Sequence, residues 1–104
     1  NLQIDGAVSD VMSPYPIDEK FAAFGLFVQT VDGHDFDAID AAVKRAEQEK
    51  GRPSAIVLKT VKGKGVSFME HNIGWHAGTL KTDDMNIAIK EVLDAHARAV
   101  EGRI

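Results

Sequence analysis

The sequence predicts an α/β fold: part of a parallel sheet with helices on both faces, whose remaining strands are expected upstream or in another chain. Three observations predict it. Helical and extended patterns alternate in the order loop, helix, strand, helix, strand, long loop, helix, the signature of strand–helix–strand units with right-handed crossovers. The second strand-like run, Ser54-Ala55-Ile56-Val57-Leu58, is almost wholly apolar, as a strand covered on both faces has to be. Only two such runs occur, too few for a stable parallel sheet on their own.

Each element has a local cause. Pro14 and Pro16 mark a loop, after which Ile17, Phe21 and Phe24 recur at helical spacing until Gly25 stops the helix. Phe27-Val28-Gln29-Thr30-Val31 is rich in β-branched and aromatic residues and reads as a strand. Asp32-Gly33-His34-Asp35 ends it with turn chemistry, and Asp35 stands where an N-cap belongs. The helix it opens is expected from about Phe36 to Lys50, with Phe36, Ile39, Val43 and Ala46 on its inward face, terminated by Gly51-Arg52-Pro53. After the apolar strand, a glycine-punctuated loop extends from Thr60 to about Leu80. A last helix starts near Thr82-Asp83-Asp84, where acidic groups suit the positive end of the helix dipole. It is expected to turn Met85, Ile89, Val92 and Val100 inward, to end near Gly102, and to bring the chain to its close at Ile104.

Composition narrows the function. The 104 residues carry 44% apolar and 27% charged side chains and a net charge of −4, the balance of an ordinary globular domain. Lys and Arg are scattered among Asp and Glu, so no basic stripe exists to neutralise a phosphate backbone and nucleic acid is not an expected partner. No apolar run approaches the roughly 20 residues that span a bilayer, so neither is a membrane. The absence of cysteine excludes a disulfide framework and a thiolate metal site, and a cytoplasmic location is the expectation it suits. Asn1 opens the chain within an apolar-polar run, without initiator Met or signal peptide. A piece of a longer polypeptide is therefore expected.

In open α/β sheets ligands sit at the carboxyl ends of the strands. Two loops qualify. One follows Val31 and holds His34; the other follows Leu58 and holds Lys59, Lys62, Gly63, Lys64, Gly65, Trp75 and His76. Loops as long as the second are usually functional or disordered. Lys62-Gly63-Lys64-Gly65 has the composition of an anion cradle, in which glycine lets the backbone approach and lysine supplies charge. Taken alone, such a tetrapeptide is more often a solvated turn, and it lacks the spacing and the closing Ser/Thr of a Walker motif. His76 beside Trp75 is a candidate proton shuttle or phosphate donor, though loop histidines are more often plain surface residues. His34 reads as a residue that shapes the helix start. His96 lies within the last helix, packed or solvated, and His71 gives no signal. No two of these residues have metal-ligand spacing, which argues against a zinc site.

Leu2-Gln3-Ile4-Asp5-Gly6, Val31-Asp32-Gly33-His34-Asp35, Lys59-Thr60-Val61-Lys62-Gly63-Lys64-Gly65-Val66 and Gly74-Trp75-His76 together resemble transketolase, in order and spacing, over nearly the whole chain up to about Leu80. The resemblance implies a thiamine-diphosphate-binding fold. It also implies transfer of a two-carbon ketol unit between ketose and aldose phosphates with thiamine diphosphate and Mg2+ (or Ca2+), as in the pentose phosphate pathway. Carried over by position, His76 matches the histidine close to the diphosphate and the reacting centre. Lys62 and Gly63 match residues lining the cofactor, Ile4 an apolar residue against the thiazolium ring, and Leu2 the position whose backbone carbonyl binds the metal. The side-chain metal ligands of the family, an Asn immediately before Asn1 and an Asp farther upstream, fall outside this chain. The fragment alone is therefore expected to bind cofactor poorly and to be inactive. After His76 the family continues with Gly and a Pro-Leu, whereas this chain has Ala77-Gly78-Thr79-Leu80.

Residues 1–104 are thus expected to form the C-terminal segment of a transketolase thiamine-diphosphate-binding half, or of a split N-terminal subunit. The implied partners are sugar phosphates and a pyrimidine-binding half or subunit, within a parent homodimer or heterotetramer. Two alternatives stand beside this reading. A segment of 1-deoxyxylulose-5-phosphate synthase shares the fold, the cofactor and the Asp-Gly-His-Asp element. A non-catalytic α/β binding or assembly module is the other.

Overall fold

The computed structural model of the chain describes residues 1–102. In order along the chain come two two-residue strands, β1 (Leu2–Gln3) and β2 (Gly6–Ala7), then α1 (Val8–Val11), α2 (Ile17–Ala23), β3 (Phe27–Asp32), α3 (Phe36–Gln48), β4 (Ser54–Lys59), a 3₁₀ turn (Ile73–His76) and α4 (Thr82–Glu101). They fall into two compact units. One comprises Asn1 and Ala7–Thr60; the other comprises Leu2–Gly6 and the chain from Val61 onward.

The first unit is built on β3 and β4, which pair in parallel with Phe27 opposite Ser54 and Asp32 opposite Lys59. Parallel neighbours need a crossover, and α3 supplies it. Helix α2 enters this pair through a Schellman stop. Gly25, at φ +86°, donates its N–H to Ala22 O at 2.9 Å, and Leu26 donates to Phe21 O at 3.2 Å. The left-handed turn is what glycine makes possible there. Asp35 caps α3 by accepting from the N–H groups of Asp37 (2.9 Å) and Ala38 (3.1 Å), which satisfies two of the donors a helix start leaves unpaired.

Helix α3 turns Ile39 and Ala46 inward as expected, but not Phe36 and Val43. Ala42 is fully buried, Ala38, Ile39, Ala41 and Ala46 are half-buried, and Phe36 is 81% exposed, with Val43 also outside. The cause lies on the strand. Gln29, only 8% exposed, donates from Nε2 to Ala42 O at 2.8 Å and accepts at Oε1 from Arg45 Nε at 2.6 Å. Closing both ends of a buried amide requires the helix backbone to come near, and alanines permit that approach where Phe36 and Val43 would not. Neighbouring Thr30 points to the opposite face of the pair, as strand alternation requires. There it shares a cavity with Ile17 and Asp18 of α2, so the two helices border different faces. Helix α3 ends at Gln48, slightly short of the expected Lys50, with Glu49 N–H returning to Arg45 and Ala46 carbonyls at its cap.

The apolar strand β4 is less covered than its composition predicts. Ser54 to Val57 are half-buried and Leu58 and Lys59 exposed, because a two-stranded pair leaves much of each strand open. At its end the chain makes a close backbone approach. Gly33 donates to Lys59 O at 2.8 Å, and a Cβ at Gly33 would lie 2.5 Å from Thr60 Cγ2 and 3.0 Å from Leu58 Cβ.

In the second unit, α4 also turns away from expectation. Met85, Ile89, Val92 and Val100 are exposed, while Asp84, Ala88, Glu91 and Asp94 are half-buried. The reason is polar: Glu91 is bonded to Ser67 in the preceding loop, which fixes which side of the helix faces it. Helix α4 reaches Glu101 and is capped at Gly102, as expected. The expected continuation to Ile104 lies outside the described residues. Among the described residues no helix is long and apolar enough to cross a membrane.

Candidate functional site

The loop from Val61 to His76 is the candidate. Its residues close most of their hydrogen bonds on one another. Lys64 N–H donates to Val61 O (3.2 Å), Val66 N–H to Gly63 O (3.2 Å), and Met69 N–H to Val66 O (2.9 Å). Glu70 Oε1 accepts from Gly65 N–H at 2.9 Å and lies 3.5 Å from Lys64 Nζ. These contacts, the Gly65 amide first, hold the Glu70 carboxyl below its ordinary range. Asn72 works in three directions. Its Nδ2 donates to Phe68 O (3.2 Å), its Oδ1 accepts from Gly74 N–H (3.0 Å), and its carbonyl accepts from Trp75 N–H (3.3 Å), which opens the 3₁₀ turn. Phe68 and Trp75 pack at 5.2 Å between ring centroids, tilted by 56°, a favoured geometry for aromatic pairs.

Glycine is required at one point of this loop on two counts. Gly63 has φ +76°, and a Cβ there would lie 2.7 Å from the carbonyl carbon, the Cβ and the oxygen of Met69. The backbone of Gly63 therefore passes against that of Met69 with no room for a side chain.

This winding brings two distant side chains together. Lys62 Nζ lies 2.8 Å from His76 Nδ1. An ammonium can only donate, so Nδ1 accepts and the imidazole proton is placed on Nε2. The pair thus offers two kinds of donor at one point, a compact positive charge and a directional ring N–H. Both suit an anion, and the ring nitrogen also suits proton transfer.

Leu2 and Ile4 belong to the same unit as Lys62, Gly63 and His76. Strand β1, which holds Leu2, contacts the 3₁₀ turn that ends at His76. Ile4 lies in the turn after β1 and is 60% exposed. His34 belongs to the other unit, where its N–H donates to Asp32 Oδ1 at 2.8 Å, in keeping with a role in shaping the start of α3. Among the described residues no group of three or more His, Cys, Asp or Glu side chains could hold a metal ion. Sequence reading missed Glu70, Asn72, Ser67 and Glu91, which hold the loop. Asn72 was the accessible signal, since Asn two residues before a glycine is a common side-chain turn.

The chain is thus an α/β protein with a parallel strand pair in one unit and a lysine-imidazole pair on a self-bonded glycine loop in the other. Comparison with known proteins narrows the class. Residues 1–99 match the family described as transketolase, thiamine diphosphate binding domain. The chain belongs to this family.

Over 91 residues it is 40% identical to a 6-deoxy-6-sulfo-D-fructose transketolase subunit of Clostridium sp. (strain MSTE9), covering 88% of this chain and 33% of that protein. Over 93 residues it is 32% identical to one of the apulose-4-phosphate transketolase subunits of Actinobacillus succinogenes, covering 89% and 33%. It is also 38% identical over 82 residues to transketolase-like protein 2 of Homo sapiens, covering 79% and 12%. The chain spans about a third of the length of the two bacterial subunits it matches.

Proposed function

We propose that this chain is the C-terminal segment of the thiamine-diphosphate-binding half, or separate subunit, of a transketolase that transfers a two-carbon ketol unit between ketose and aldose substrates. The observation that carries the reading is the 2.8 Å approach of Lys62 Nζ to His76 Nδ1 on a loop with glycine at its closest backbone contact. The donor set fits a diphosphate: an ammonium for charge, an imidazole N–H for direction, and a backbone bare of Cβ at Gly63.

When bound, thiamine diphosphate supplies the carbon nucleophile and the electron sink for C–C cleavage. The work of this chain is local. The Lys62 ammonium balances phosphate charge and, by donating to Nδ1, keeps the His76 proton on Nε2. From Nε2 the imidazole holds a phosphate oxygen or exchanges a proton with a substrate oxygen. Gly63 lets the main chain approach, and Ile4, exposed in its turn, offers an apolar surface to an aromatic ring.

Leu2 would present its backbone carbonyl to the divalent cation, for which Mg2+, with Ca2+ as a substitute, is proposed. The described residues hold no side-chain metal cluster, so the other ligands would come from beyond them. The bacterial relatives are named as subunits, which supports a partner subunit; the proposal gives that partner the pyrimidine-binding half, in a heterotetramer, with a single-chain homodimer as the other arrangement. Their names also specify ketoses bearing a sulfonate or a phosphate, and an anionic ketose, such as a pentose phosphate, is the substrate class proposed here. The cytoplasm is the proposed compartment.

The test is substitution in the assembled enzyme. His76→Ala and Lys62→Ala are expected to lower ketol transfer by about a hundredfold or more while leaving the thermal midpoint nearly unchanged. Unaltered turnover in both variants would remove the pair from the mechanism. Carbon dioxide release from pyruvate, in place of ketol transfer, would assign the parent to the synthase reaction.

A further inference from the structure

Ser67 occupies a particular place in the loop. On one side Val66 bonds to Gly63 O, the residue after Lys62; on the other, Phe68 packs against Trp75, the residue before His76. The two arms that deliver Lys62 and His76 therefore meet at Ser67. That residue is held from outside the loop by α4. The Glu91 carboxylate accepts from Ser67 N–H at 2.7 Å through one oxygen and from Ser67 Oγ at 2.5 Å through the other. A bidentate grip of this kind fixes orientation as well as distance. It spans 24 residues of sequence and joins the loop to a 20-residue helix. Glu70, by contrast, bonds Gly65 and pairs with Lys64, both within the loop.

We propose that Glu91, acting through Ser67, is a positioning residue that sets the approach of Lys62 to His76 for diphosphate binding. It touches neither cofactor nor substrate. The inference rests on the cofactor reading above for its ligand, but its geometry stands independently of that reading. Contacts with Ser67, its hydroxyl first, hold the Glu91 carboxyl below its ordinary range, so the grip persists throughout the neutral region.

The experiment compares wild type, Glu91→Ala, Glu91→Gln and Lys62→Ala in the assembled enzyme. Calorimetric titration with thiamine diphosphate and Mg2+ is paired with 15N chemical shifts of the His76 ring and with thermal unfolding. Glutamine can still accept from Ser67 N–H and donate to Oγ, whereas alanine can do neither. Glu91→Ala is expected to weaken cofactor binding about tenfold, since displacements of about 1 Å at a reacting centre are costly, and to shift the His76 ring signals. Glu91→Gln should recover most of both.

Wild-type affinity and ring shifts in Glu91→Ala would overturn the proposal. So would equal losses in the alanine and glutamine variants that merely track a fall in thermal midpoint. If wild type itself binds no thiamine diphosphate, the cofactor reading fails, and the ring shifts alone then decide the positioning role. Displacement in Glu91→Ala with recovery in Glu91→Gln would support it, and unchanged shifts would reject it.

Discussion

Replacing Gly63 with alanine tests the loop at its tightest point. The residue has φ +76°, and its missing Cβ would lie 2.7 Å from three atoms of Met69, two of them backbone. Left-handed backbone costs a non-glycine residue about 1–2 kcal/mol. Overpacking against atoms that cannot rotate aside adds about 1–3 kcal/mol. Together, Gly63→Ala is expected to cost about 2–5 kcal/mol, a large part of the 5–15 kcal/mol by which a domain is ordinarily stable. Gly65 supplies the internal control. Its φ is +97°, but nothing lies within 4 Å of where a Cβ would stand, so Gly65→Ala carries the backbone cost alone, about 1–2 kcal/mol. Urea unfolding of both variants, with the slope m checked for constancy, measures the difference. Equal losses at the two positions would show that the Met69 contact is not a constraint and that the loop winds otherwise.

Three further outcomes are expected. Asp35→Ala removes both cap bonds of α3 and should cost about 1 kcal/mol in the same unfolding assay, with most of it recovered by Asp35→Asn. Gly33→Ala places a Cβ 2.5 Å from Thr60 Cγ2 and should cost about 1–3 kcal/mol; adding Thr60→Ser, which deletes that methyl, should restore part of it. Acid should loosen the second unit, whereas neutral pH leaves it intact. The Glu70 and Glu91 carboxyls titrate below the ordinary value of 4.5 in the folded chain, so unfolding takes up protons. Their contribution is complete above about pH 4.5 and is lost as pH falls through the depressed values. Hydrogen exchange at the Gly65 and Ser67 amides, measured from pH 6 down to about pH 3, should lose protection in that window beyond the usual pH trend.

Features written in neighbouring residues were legible in the sequence. The glycine stop of α2, the Asp35 cap and both parallel strands follow from chemistry within a few positions, and the strand–helix alternation was enough to indicate a parallel pair. Helix faces were not legible in the same way. Periodicity singled out Phe36 and Val43, but the choice between faces was made by Gln29, whose amide reaches across from β3 to the α3 backbone. In α4 the apolar spacing was plain, and a carboxylate-to-loop bond outweighed it. The candidate pair was visible as two residues in one loop, while their approach depends on a path through Gly63, Met69, Phe68 and Trp75 that no local pattern encodes. Ser67 and Glu91 lie farther apart still, and neither residue type draws notice alone.

The internal bonding of the Val61–His76 loop has a consequence for the thermodynamics of ligand capture. A segment in which the amides of Lys64, Gly65, Val66, Met69, Glu70, Asn72, Gly74 and Trp75 already have partners inside the segment meets much of its ordering cost when the chain folds, not when a ligand arrives. Binding at such a loop should be nearly rigid-body, with little rearrangement of the main chain and a small conformational entropy penalty.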